Sequence, residues 1–215
     1  MSHFQWCRSL QPDTNLMVLQ DFCPSRCGVF FFCSMDSANQ YYYPYALVIM
    51  GVSGCGKSSV AQMLGQRLGW TVYEGDVYHP DSNIRKMQAG VALTDHDRQG
   101  WLSDLARLLS QATVQKGMVL TCSALKHKYR EQLRSALPAG AVGFVFLDLS
   151  YAMALERVQS RQGHFFSADL VANQFQTLER PDAEAGVLTV NASQPLSDIV
   201  QSTTQWLDEA APQSY

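Results

Sequence analysis

"GVSGCGKS", residues 51–58, follows directly on the apolar run "ALVIM" at 46–50 and leads into "KSSVAQMLGQRL" at 57–68. The stretch satisfies G-x-x-x-x-G-K-[ST] in full, between an expected buried strand and an expected amphipathic helix. Each residue type has a physical task in that pattern. Glycines let the backbone curl so that its N–H groups converge on phosphate oxygens. A helix that starts at the end of the loop adds the partial positive charge of its N-terminus. A lysine reaches β- and γ-phosphates, and the hydroxyl that follows it suits Mg²⁺. The chain is therefore read as binding ATP with Mg²⁺. Gly51, Val52, Ser53, Gly54, Cys55, Gly56, Lys57, Ser58 and Ser59 form the nucleotide cradle, Lys57 is catalytic and Ser58 is the metal ligand.

From Tyr45 onward strand and helix signals alternate. Strands are expected at "ALVIMG", "TVYEGD", "MVLTCSA", "VGFVFLDL" and "GVLTVNA". Helices are expected at "KSSVAQMLGQRL", "SNIRKMQAG", "LKHKYREQLRSAL", "YAMALERVQSRQ", "SADLVANQFQTLE" and "LSDIVQSTTQWLDEA". A further long helix spans "DHDRQGWLSDLARLLSQATVQKG", interrupted by Gly100 and closed by Gly117. Apolar strands alternating with helices imply an α/β fold: a parallel sheet covered by helices on both faces.

The 215 residues suit one domain, and 47% hydrophobic content is enough for a substantial core. A net charge of −3 argues against a nucleic-acid surface held by charge. No apolar run approaches the roughly 18 residues that span a bilayer, and no basic head precedes an apolar segment as in a secretory signal. The expected setting is cytoplasmic, with no nucleic-acid or membrane partner. Four of the six cysteines lie before residue 45, without the paired spacing of a zinc site. Residues 1–44 are read as a poorly structured extension and 45–215 as the working domain; Met35 is an alternative start.

The second expected strand ends in "EGDVYHPDSNIRKM" (74–87). An acid at the carboxyl end of a strand beside a phosphate loop stands where an acceptor must sit. Asp76 is thus the candidate to orient an acceptor hydroxyl and take its proton, or to help hold Mg²⁺.

Taken together, "GVSGCGKS", "EGDVYHPDSNIRKMQAGVALTDHDRQGWL", "TCSALKHKYREQLR" and "GHFFSADLVANQFQTLERP" resemble the gluconokinase family, over about residues 46–206. The resemblance implies a three-layer P-loop kinase fold of the nucleoside-monophosphate-kinase type and a homodimer. It also implies transfer of the ATP γ-phosphoryl to the 6-hydroxyl of D-gluconate. The chain departs from the family in carrying Ala92 and Gly100 where proline is usual, which loosens a turn and a helix start without removing a reactive group.

Gluconate is a polyol with one carboxylate, so its pocket needs a cation and several hydrogen-bonding groups. His79, Arg85, Lys126 and Arg130 are the candidates, guanidinium being suited to bidentate carboxylate binding. Asp95, Asp97 and Arg98 are read as capping and charging the long helix. "ERVQSRQGHFF" (156–166) reads as a lid. Arg157 and Arg161 share a helix face there, one for adenine and one for the transferring phosphate. His164 meets substrate or pins the lid. "NASQPL" (191–196) is expected at the adenine. Cys55 is expected as small filler turned off the phosphates, and neither Cys122 nor Ser123 as a nucleophile.

Overall fold

The computed structural model describes residues 44–160 and 168–210. Residues 1–43, Arg161, His164 and the rest of 161–167 lie outside that description, and with them the readings of the extension and of the lid.

Five strands form one parallel sheet: β1 (Ala46–Met50), β2 (Thr71–Glu74), β3 (Met118–Thr121), β4 (Val142–Asp148) and β5 (Val187–Asn191), in the order β2-β3-β1-β4-β5. The crossovers are α1 (Lys57–Leu68), α2 (Asp81–Gln88), α3 (Asp95–Leu109), α4 (His127–Arg134), α5 (Tyr151–Gln159) and α6 (Ala168–Thr177), with α7 (Leu196–Ala210) closing the domain. This is the expected three-layer α/β architecture.

The central strand shows how the layers arise. Side chains alternate across a strand, so Leu47 and Ile49 enter one core with Val60, Ala61 and Leu64 of α1 and Ile199, Val200 and Leu207 of α7. Ala46, Val48 and Met50 enter the other, with Trp101, Leu102, Leu105 and Leu109 of α3 and Tyr129 and Leu133 of α4. All five β1 residues are fully buried, which is why this strand reads as unbroken hydrophobic sequence. Each large aliphatic side chain buried this way contributes about 1.5–3 kcal/mol.

Several expected boundaries move. The long helix runs through Gly100, which faces open space, and stops at Leu109 rather than at Gly117. Thr113 and Lys116 then exchange backbone hydrogen bonds in a tight turn, and Thr113 Oγ1 also accepts from Lys116 N–H. β2 ends at Glu74, and Gly75–Tyr78 form a short 3-10 turn that carries Asp76.

Candidate active site

The phosphate loop sits where β1 meets α1. Gly51 and Gly54 hold φ of 138° and 83°. A Cβ on Gly51 would meet the Leu147 carbonyl at 2.9 Å, and one on Gly54 the Ala154 carbonyl at 2.9 Å. Backbone conformation and close approach both demand glycine there. Lys57 Nζ curls back over the loop and donates to the carbonyls of Gly51 (3.1 Å) and Val52 (3.0 Å). Cys55 is buried in the core beneath the loop, and burial raises its thiol pKa. Ser58 Oγ donates to Glu74 Oε2 at 3.1 Å.

That carboxylate was not foreseen. Glu74 Oε2 also accepts from Thr121 Oγ1 at 2.7 Å, while its Oε1 is shielded from solvent and has no hydrogen-bond partner. An orphaned carboxylate oxygen beside the expected metal-binding hydroxyl is what an outer ligand of a hydrated cation looks like. Among the described residues no group of three or more acidic, histidine or cysteine side chains is gathered as a metal cluster. The sequence signal for Glu74 was its position two residues before Asp76, at the end of the same strand.

Asp76 is set by its neighbours. Gly75 N–H donates to Thr121 Oγ1 at 3.1 Å, and a Cβ on Gly75 would lie 2.1 Å from the Thr121 carbonyl. Trp101 Nε1–H donates to the Gly75 carbonyl at 2.8 Å, and the Trp101 ring stacks on His79 at 4.1 Å between centroids. The indole thus braces both sides of Asp76. The buried Asn83 donates to the Asp97 carbonyl at 2.8 Å, and its Nδ2 lies 3.4 Å from His79 Nδ1. Burial lowers the His79 pKa; Asp76 opposes this and Arg98 adds to it.

A cleft of about 210 Å³ brings Ser53, Lys57, Asp76, His79, Arg98, Ser123, Asn173 and Gln174 together over an apolar floor that includes Met87, Leu93 and Trp101. Its charged described residues are Lys57, Asp76 and Arg98. Arg98, expected to charge the helix, is instead buried, with Nη1 donating to the Leu93 carbonyl. The signal was available: Arg98 lies on the same stripe as Trp101, Leu102 and Leu105, where a cation must have something to face. The capping role falls to Thr94 and Asp97, which form a reciprocal capping box.

Three expected substrate contacts are not among the residues lining this cleft. Arg85 is exposed on α2. Lys126 is engaged by Asp95 at 2.8 and 3.0 Å; Lys128 and the Tyr129 hydroxyl share that carboxylate. These donors hold the Asp95 carboxyl well below its usual range. Arg130 is fully buried. Its Nε donates to Glu184 Oε2 at 2.9 Å and its Nη2 to Glu184 Oε1, while Nη1 reaches the carbonyls of Ala124 (2.9 Å) and Leu125 (3.2 Å). Ala124 has a left-handed φ of 43°, so this guanidinium clamps the strained turn that delivers Ser123 to the cleft. Cys122 is buried and its pKa is pushed up to about 12 by desolvation, far from a nucleophile's range.

Arg157 joins the loop to the far side of the nucleotide region, donating to the carbonyls of Gly54 (3.4 Å) and Ala192 (3.1 Å). It stands between the phosphate cradle and the "NASQPL" segment.

A shikimate kinase family model matches residues 53–196. The gluconokinase of Gluconobacter oxydans is 47% identical over 152 residues, covering 69% of this chain and 83% of its own. The thermoresistant gluconokinase of Escherichia coli is 40% identical over 174 residues, covering 80% and 97%. The crystal structure of a gluconokinase from Sinorhizobium meliloti superposes with a TM-score of 0.72 at 41% identity, covering 79% of this chain and 94% of that one. With the phosphate loop, the acid and the guanidinium already gathered in one cleft, these likenesses place the chain among phosphotransferases: it belongs to the gluconokinase family.

Proposed function

We propose that the protein transfers the γ-phosphoryl of ATP to the 6-hydroxyl of D-gluconate, giving 6-phospho-D-gluconate and ADP. One observation carries the reading: the cleft joins the phosphate loop to one carboxylate and one buried guanidinium, and its other polar walls are neutral hydrogen-bonding groups. That set matches an acceptor with one carboxylate and many hydroxyls. The names of the similar proteins support the same acceptor.

In this reading the loop N–H groups other than that of Ser53, which Gln174 holds, and the α1 N-terminus hold the β- and γ-phosphates. Arg98 takes the acceptor carboxylate, and His79, Ser123 and Asn173 take hydroxyls. Asp76 accepts the proton of the 6-hydroxyl as its oxygen attacks the γ-phosphorus. The new P–O bond forms as the bond to the β–γ bridging oxygen breaks, and ADP departs. Lys57 leaves the carbonyls of Gly51 and Val52 to neutralise charge on the transferring oxygens. Arg157 faces the nucleotide. Ser58 and Glu74 would hold Mg²⁺, which when bound neutralises phosphate charge. Arg161 keeps its expected place at the nucleotide, His164 its expected place at the acceptor or pinning the lid, and a homodimer remains the expected assembly, to be read by light scattering.

The test is an acceptor panel in a coupled ADP-release assay, containing gluconate, other aldonates, shikimate and nucleoside monophosphates. The product is identified by mass and by oxidation with 6-phosphogluconate dehydrogenase. Gluconate should be the preferred acceptor. Preference for shikimate, which the matching family model keeps in view, or ATP binding without transfer to any sugar acid, overturns the proposal.

A further inference from the structure

Gln174 of α6 lines the cleft, and its Oε1 accepts the Ser53 N–H at 2.6 Å. The two residues lie 121 positions apart, so tertiary packing alone sets one against the other. A side-chain amide is two-sided: its oxygen only accepts, and its nitrogen donates twice. A backbone N–H can be met only by the oxygen. The bond to Ser53 therefore fixes which way the amide is turned and directs Nε2 away from that N–H. Among the described residues nothing takes up Nε2, although Asn173, Ser123 and Asp76 line the same cleft.

The position is chemically selective. A carboxylate here would satisfy Ser53 but set a negative charge beside a phosphate site. A hydrocarbon would strand the N–H. An amide of this length both completes the loop and offers donors to a neutral oxygen in the acceptor space. Resting on the sugar-acid reading above, we propose that Gln174 is a specificity-determining residue for the acceptor. Its Oε1 stays on Ser53 N–H while Nε2 donates to an acceptor hydroxyl oxygen near the one that reacts. Acceptor alignment is thereby tied to the phosphate loop itself, and a polyhydroxy chain is favoured over an acceptor with no oxygen at that point.

Two variants separate the amide's two sides. Gln174→Glu keeps an oxygen for Ser53 and removes the donors. Gln174→Met keeps the length, is uncharged and removes both. Both are assayed with whichever acceptor the wild type phosphorylates best in the panel, alongside ATP KM, ATP affinity and melting temperature. The expected result is an acceptor KM raised about tenfold or more in both variants, the scale of one lost donor, with the ATP KM within about threefold in Gln174→Met and raised in Gln174→Glu, whose carboxylate lies beside the phosphate loop. A wild-type acceptor KM in Gln174→Glu reduces the residue to a latch on Ser53 and overturns the proposal. So does an unchanged acceptor KM with tighter ATP binding in Gln174→Met, because Gln174 would then only occupy a phosphate site. A working acceptor other than a sugar acid would sink the functional reading, while the KM comparison would still decide the role of Gln174.

Discussion

Replacing Arg130 by methionine distinguishes a substrate ligand from a buried strut. The guanidinium is wholly inaccessible, and its partner Glu184 is 16% exposed. Breaking a buried ion pair from one side typically costs about 3–5 kcal/mol, because the remaining charge is left uncompensated. Here Glu184 keeps partial compensation from His127 Nδ1 at 3.1 Å and Arg134 Nη2 at 3.7 Å, which points to the lower end, about 3 kcal/mol. For a domain of this size that is a fall in Tm of about 6–12 °C. Removing both charges with Arg130→Met and Glu184→Leu should recover part of the loss, since a buried pair is often no better than apolar packing. Urea titrations at pH 7 read the stability, and initial rates read the KM for acceptor and ATP. With the folded fraction corrected for, both KM values should stay within about threefold, because Arg130 does not line the cleft and reaches it only through the turn at Ala124. A fully stable Arg130→Met protein whose acceptor KM rises tenfold or more would refute the argument and return Arg130 to the substrate.

Lys57→Ala should abolish transfer while leaving Tm nearly unchanged: charge-neutralising groups of this kind are worth about 10²–10³ in rate, and near-normal turnover would undo the phosphate-loop assignment. Asp76→Asn should lose about 10²–10⁴ in kcat with ATP affinity within tenfold; a collapse of Mg²⁺–ATP affinity would make Asp76 a metal anchor instead. For His79, burial lowers the native pKa below the ordinary value of 6.5. Below that value the unfolded state binds a proton that the native state resists. The contribution of His79 is therefore complete above pH 6.5 and falls away as pH drops toward the depressed native pKa. Chemical denaturation between pH 7.5 and 5.5 should show that decline, and His79→Phe, which keeps a ring on Trp101, should flatten it. An equal decline in the variant would assign the effect to another group.

The alternation of strands and helices was legible because its causes are local. β1 is unbroken apolar sequence because both its faces are covered, and α1 shows its buried stripe at Val60, Ala61 and Leu64. The loop from Gly51 to Ser58 was legible for the same reason: its conformation and its chemistry are written in eight consecutive residues. Asp76 needed only the strand end beside that loop. The cations of the cleft were another matter. Arg85, Lys126 and Arg130 looked suitable by type and by closeness to the motif, and none of them lines the cleft.

What decided between them is the direction in which each helix turns its side chains, and that depends on partners distant in the chain. Arg130 meets Glu184 from 54 positions away and Lys126 meets Asp95 from 31. Arg98, which looked like a surface charge on a helix start, is turned inward by the stripe it shares with Trp101. Glu74 has its partners only because Ser58 and Thr121 converge on it from two other elements. By itself the sequence determined the layers, the phosphate cradle and the acid, since short-range sterics and hydrophobic period suffice for them. The selection of Arg98 and Gln174 for the cleft, and of Glu74 as the partner of Ser58, belonged to the tertiary structure, because a polar side chain's partners are set by what packing brings within hydrogen-bond reach.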